Sequence, residues 1–237
     1  VPYDQQTLTD AVISLIQING FRACYIRPLI YRGYDSLGVH PGNCPVDVAI
    51  IVWEWPTYFT KEAVEEGIDV KISTWARNAP NTTPAMAKSV ANYANAQLIK
   101  MEATADGYAE AIALDVYGNI SEGSGQNIFV VRDGIIYTPP FGNSVLQGLT
   151  RDCVITLAGD LGFQIREQTL PRELLYLADE VFFVGTAVEV TPIRSVDRIP
   201  VGRGRRGPIT EALQQRFFQI VHGDAPDTHN WLQPVPV

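Results

Sequence analysis

Long apolar runs are missing from this 237-residue chain. No stretch approaches the roughly twenty residues that a membrane-crossing helix requires, so no membrane span is expected. Positive charge is also in deficit. Lys and Arg number 18 against 26 Asp and Glu, a formal net charge of -8. That balance argues against nucleic acid and anionic membranes as partners. Cysteine is scarce: Cys24, Cys44 and Cys153 lie far apart, and none forms a CxxC pair. They read as reduced, partly buried thiols in a cytoplasmic protein. His40, His222 and His229 are not spaced as metal ligands, so no metal site is expected. Internal repeats and low-complexity tracts are absent. What is present is a hydrophobic content of 46%, enough for one large domain or for one domain with a smaller lobe. The one basic cluster is GRGRRGP, with Arg203, Arg205 and Arg206, and it reads as a solvated loop before a helix.

Apolar spacing predicts a helix over 7–18, stopped by Asn19-Gly20. Strands are expected at 24–31 and 46–55, the second apolar enough to be buried on both faces, with a Gly- and Pro-punctuated loop at 33–45 between them. Residues 56–60 read as a linker. Thr60 is placed as the N-cap of a short helix. The alternating segment 68–75 predicts a strand with one wet face. A connection rich in Pro and Asn then delivers Lys88 to the start of a helix running to about Ala105. EAIALDV and NIFVVRD read as strands with a turn holding Glu122 between them. Asp133-Gly134 marks a tight hairpin. A helix follows at 150–162, then strands at 163–170 and 179–186, further sheet, and a closing amphipathic helix from Pro208 to Gly223. Strands joined largely by hairpins make the fold α+β rather than doubly wound. The expected organisation is a partial N-terminal α/β lobe over 1–55, a linker at 56–60 and a large domain over 61–237.

Four segments carry the chemistry. Lys88 lies in PNTTPAMAKSVANY, Glu122 in NISEGSGQNIF, Thr150 in LQGLTRD and Thr186 in GTAVEVTP. A lysine can bond the aldehyde of pyridoxal phosphate. An acid can keep its ring nitrogen protonated, and Gly-Thr turns can bind its phosphate through amides and hydroxyls. Each piece alone is weak, since a lysine followed by serine is ordinarily a surface residue. Tyr93 lies 1.4 helical turns after Lys88, so both could face one cavity.

In order and wording, these segments together resemble the fold-type-IV pyridoxal 5'-phosphate enzymes, and most closely the branched-chain amino acid aminotransferases. The resemblance implies a D-amino acid aminotransferase-like large domain. Within it Lys88 is the catalytic lysine, and Tyr93 bonds the cofactor's phenolic oxygen. Glu122 meets the ring nitrogen, while Leu149, Thr150 and Thr186 hold the phosphate. Thr186 and Ala187 also contact the substrate carboxylate. Gln126 stands where the family commonly has Glu. Tyr25 and Arg27 form the family's YxR pattern and project to one face of a strand. Leu37 and Val39, in GYDSLGVHP, and Trp55 with Tyr58 match positions that surround an aliphatic side chain.

The implied reaction is amino transfer between L-leucine, L-isoleucine or L-valine and 2-oxoglutarate. The partners are therefore small amino and keto acids, and the implied assembly is a homodimer or higher homo-oligomer. A D-amino acid or (R)-amine transaminase, an aminodeoxychorismate lyase and a non-catalytic remnant are the competing readings. The match starts late. Roughly seventy residues of the family's small domain, including its phosphate-binding arginine, have no counterpart before Val1. The chain therefore reads as truncated, with weak cofactor binding and little turnover expected of it alone.

Overall fold

Local signals set most element ends. The structure, a computed structural model, describes residues 1–55 and 57–236. Pro56, where the expected linker begins, and Val237 lie outside the described residues. Helix α1 (Gln5–Asn19) starts where Asp4 accepts from the Thr7 amide at 2.8 Å, and stops at Gly20, whose φ is 65°. This left-handed position is one that glycine takes without strain. Strands β1 (Tyr25–Arg32) and β2 (Val46–Trp53) follow, paired antiparallel along their whole length from Tyr25 opposite Trp53 to Arg32 opposite Val46.

The chain divides into two units. One comprises Val1–Pro56 with Thr228–Val237, the other Thr57–Asp227. The last ten residues thus group with the N-terminal segment rather than with the large domain. Gln17 donates to the Pro236 carbonyl at 2.6 Å, which ties that tail to α1. The first unit is thinly packed. Its β-sheet has only two strands, and no residue of β2 is fully buried. This corrects the expectation of a strand covered on both faces. An apolar sequence supplies the tendency to bury, but burial needs neighbours that this two-stranded sheet does not have.

The second unit opens with α2 (Lys61–Glu66), where the Thr60 hydroxyl accepts from the Ala63 amide. It continues through β3 (Ile68–Ile72), α3 (Tyr93–Ala105), β4 (Glu110–Leu114), β5 (Ile120–Gly123), β6 (Asn127–Arg132) and β7 (Ile135–Thr138). Then come α4 (Leu149–Asp160), β8 (Ile165–Glu167), α5 (Leu174–Leu177), β9 (Glu180–Gly185), β10 (Glu189–Val196), β11 (Ile199–Pro200) and α6 (Pro208–Val221). The strands form one mixed sheet in the order β5-β4-β3-β10-β9-β6-β7-β8, with β11 on β10. Pairings of β3 with β10 and β4, and of β7 with β8, are parallel; the others are antiparallel. The sheet curls. Asn119 bridges to Pro171, and the Ile120 amide donates to Leu170, bringing the β5 edge to the segment after β8. The class is α+β, as the hairpin-rich sequence implied.

The core of this unit is sealed from solvent. Phe129 and Phe182 stack at 5.1 Å on neighbouring strands, and Val130, Phe183 and Ile112 are likewise fully buried. The Asp133-Gly134 hairpin forms as expected, with φ of 52° and 75°. Among the described residues, no helix is long and apolar enough to cross a membrane. Nor could any group of three or more His, Cys, Asp or Glu among them hold a metal ion.

Candidate active site

Lys88 does not begin a helix. It sits in an irregular segment after β3, followed by a 3-10 turn at Val90–Asn92, and α3 starts at Tyr93. The expected shared helix face for Lys88 and Tyr93 is therefore not what joins them. They meet because the chain turns just before the helix. Lys88 Nζ donates to the Tyr93 hydroxyl at 2.8 Å and lies 5.5 Å from its ring centre. Asn92, buried at that turn, fixes the approach. Its amide donates to the carbonyls of Pro84 and Ala87, pinning the segment that presents Lys88.

Glu122 lies within β5, opposite Ala113 of β4, and not in a turn. Its Gly- and Ser-rich surroundings suggest a loop by composition. Ladder pairing on a buried sheet overrides that local tendency. The carboxyl is almost wholly buried. It accepts from Arg77 Nη2 at 2.7 Å, from Asn127 Nδ2 at 3.1 Å and from the Leu146 amide at 3.1 Å. Burial pushes it up to about 7, against the opposing pull of Arg77, the Leu146 amide and the more distant Lys88. Lys88 is thus close enough for its charge to act on Glu122. An ionised carboxylate has about four acceptor sites, so three donors leave room for one more.

Helix α4 begins beside this acid. Asn127 also donates to the Leu146 carbonyl at 2.8 Å, and Gly148, the α4 N-cap, packs on Asn127 so closely that an added Cβ would lie 2.2 Å from its Oδ1. Because the cap is glycine, no side chain accepts from the first-turn amides at Leu149 and Thr150. That end can receive an anion. The Leu149 side chain points to solvent, while Thr150 is buried. Thr186 and Ala187 occupy the turn between β9 and β10, Thr186 exposed and Ala187 half-buried. That turn neighbours the Gly-Ser-Gly segment at 123–125: an added Cβ at Gly185 would come within 3.7 Å of the Gly125 carbonyl. Tyr58 is partly exposed, with Lys100 Nζ 5.6 Å from its ring centre. Burial raises the Tyr58 hydroxyl above its ordinary range, and the charge on Glu110 adds to the effect.

In the first unit, Tyr25 and Arg27 share a strand face as the spacing implies. Arg27 Nη2 lies 3.4 Å from the Tyr25 hydroxyl. Tyr25 packs against Trp53 at 5.0 Å and Trp55 at 4.5 Å, making one aromatic cluster. Leu37 and Val39 are fully exposed in the 33–45 loop.

Sequence reasoning missed Arg77, Asn92 and Asn95. Arg77 and Glu122 are 45 residues apart, and no periodicity links them. For Arg77 the available signal was its place in the Pro- and Asn-rich connection before Lys88.

A family model described as amino-transferase class IV matches residues 1–196. A branched-chain-amino-acid aminotransferase of Salmonella typhimurium is 50% identical over 229 residues, covering 96% of this chain and 74% of that relative. The crystal structure of the Escherichia coli branched-chain amino acid aminotransferase superposes with a TM-score of 0.97 at 49% identity. The match covers 100% of this chain and 78% of that one. The branched-chain amino acid aminotransferase from Thermobaculum terrenum in its PLP form superposes with a TM-score of 0.93 at 33% identity, covering 100% and 77%.

Proposed function

The chain belongs to the class IV aminotransferases, and from that membership we propose that it transfers the amino group of L-leucine, L-isoleucine or L-valine to 2-oxoglutarate with pyridoxal 5'-phosphate. One observation carries this reading: an exposed lysine amine held by a tyrosine hydroxyl at 2.8 Å, within electrostatic reach of a buried, arginine-paired carboxylate. The residues fit the cofactor. Lys88 would attach it, Tyr93 would meet its phenolic oxygen, and Glu122 would take the ring nitrogen at its remaining acceptor site. Leu149, Thr150 and Thr186 would hold the phosphate at the uncapped end of α4 and at the β9–β10 turn.

When bound, the cofactor supplies an aldehyde for the amino group and a ring that draws electron density from the substrate Cα. The remaining work belongs to this chain. Lys88 Nζ would remove the Cα proton and later return one, while the Tyr93 hydroxyl keeps the amine in place. In the first unit, Arg27 and Tyr25 would bind the substrate carboxylate, and Leu37, Val39 and Trp55 would offer apolar surface to the aliphatic side chain. In the second, the amides at Thr186 and Ala187 are the carboxylate donors, and Tyr58 is the apolar wall. Nearly complete exposure of Leu37 and Val39 supports assembly as a homodimer or higher homo-oligomer that covers them. Three unpaired cysteines support a cytoplasmic location.

Initial rates across L- and D-amino acids test the proposal. Leucine, isoleucine and valine should lead with 2-oxoglutarate as acceptor. Faster turnover of D-alanine, or of an (R)-amine lacking a carboxylate, would overturn it.

A further inference from the structure

Glu122 is reached by three donors, and only one of them carries charge. Arg77 enters from the segment after β3. Its amide is fixed to the Leu114 carbonyl at the end of β4, the strand paired with β5. One end of its guanidinium donates to Glu122 at 2.7 Å, and Nη1 donates to Asn95 Oδ1 at 3.2 Å. Asn95 lies on α3, two residues beyond Tyr93, and its own amide is tied to the Ala76 carbonyl at 2.9 Å. Arg77 Nε is buried with no acceptor in the protein. A buried ion pair adds little net stability, and an orphaned buried donor subtracts from it. Stability alone does not account for this arrangement.

We propose that Arg77 is the positioning residue that holds Glu122 as an aimed carboxylate for the cofactor's ring nitrogen, and that through Asn95 it sets the acid in register with the helix presenting Tyr93 to Lys88. The inference rests on the cofactor reading of this site and deepens it. A ring nitrogen keeps its proton when its partner is a carboxylate. A neutral carboxylic acid cannot play that part, and burial drives Glu122 toward the neutral form. The charged groups acting on Glu122 are Arg77, in contact, and Lys88, farther off. Lys88 cannot do this work, because its amine is committed to the cofactor and substrate. Arg77 is therefore the cation that counters burial.

Two measurements separate this inference from the reading beneath it. Borohydride trapping of pyridoxal phosphate on Lys88 in the unmodified chain tests the site itself; label elsewhere would sink the cofactor reading and this inference with it. Carboxyl-carbon NMR of cofactor-free protein, with Glu122→Gln identifying the signal, follows the titration of Glu122. Arg77→Gln should raise its midpoint by about 1–3 pH units, and Arg77→Lys should restore part of the shift. Asn95→Ala, which loosens Arg77 without removing its charge, should move the midpoint the same way by less. With cofactor bound, Arg77→Gln should lower kcat at least tenfold while KM for leucine changes less than threefold. A wild-type midpoint in Arg77→Gln overturns the inference. If that variant does not fold, a wild-type midpoint in Asn95→Ala does so instead.

Discussion

The two units differ in how their residues are held. In the second, the strands flanking the candidate site are sealed: Phe129, Phe182 and Phe183 expose nothing to solvent. In the first, Ile16 is the one hydrophobic residue counted as buried among those described, still 8% exposed. Its two-stranded sheet leans on one helix, the packing that an isolated hairpin lacks. The proposed chemistry is divided along the same line. Lys88, Tyr93, Glu122 and Thr150 belong to the unit with the sealed core, where a rigid sheet can hold a carboxylate against three donors. Tyr25, Arg27, Leu37 and Val39 belong to the unit where side chains stay half-buried or exposed. Electrostatic work needs fixed dipoles in a low-dielectric setting, while accommodating an aliphatic substrate asks mainly for apolar surface.

The largest expected effect separates chemistry from folding. Lys88→Ala should lower transamination by about a thousandfold or more and leave the circular dichroism spectrum unchanged, since Lys88 is exposed. Activity within tenfold of wild type would remove Lys88 from its role. Next comes the core. Phe129→Ala should cost about 3–5 kcal/mol in denaturant unfolding of the second unit, whereas Ile18→Ala on exposed α1 surface should change stability by less than about 0.5 kcal/mol. Equal losses would erase the contrast between the units.

Acidity offers a third test. Glu122's carboxyl lies near 7 in the folded chain, above its ordinary 4.5, with burial the main cause. The folded state therefore holds this proton more tightly than the unfolded chain. Its stabilising contribution is complete below about pH 4.5 and is lost as pH rises through 7, roughly 3 kcal/mol over that window. Denaturation of the cofactor-free protein from pH 4.5 to 7.5 should show the decline, and Glu122→Gln should flatten it. Glu102 acts in the opposite sense, yet outside that window. Although burial opposes it, bonds from Ser73, Lys71 and Thr74 hold its carboxyl down to about 2, so its contribution is lost only as pH falls below 4.5.

The smallest expected effect on stability sharpens the comparison from the other side. Leu37→Ala and Val39→Ala, at positions fully exposed in the single chain, should shift unfolding of the dissociated chain by less than about 0.5 kcal/mol. They should nevertheless raise KM for leucine relative to alanine, by about 1–3 kcal/mol in discrimination. An unchanged leucine preference would remove the 33–45 loop from the proposed pocket.

Elements closed by local chemistry were legible in the chain itself. Gly20 stops α1, Thr60 caps α2, Asp133-Gly134 turns β6 into β7, and Pro208 opens α6; each depends on atoms within a few residues. Lys88, Tyr93, Glu122, Thr150 and Thr186 were picked out as candidates by their order along the chain. Their settings were not. Composition put Glu122 in a turn, and helical spacing put Lys88 on α3. Pairing with β4 made the first a strand residue, and Asn92 stops the second short of the helix. Apolar content made β2 a buried strand, yet burial is a property of neighbours. Above all, the clamp on Glu122 joins Arg77, Asn127 and Leu146 from three separate segments. Only the closed sheet could assemble it: contacts across such separations are selected by packing and by desolvation of the whole core, and no short-range preference of the chain encodes them.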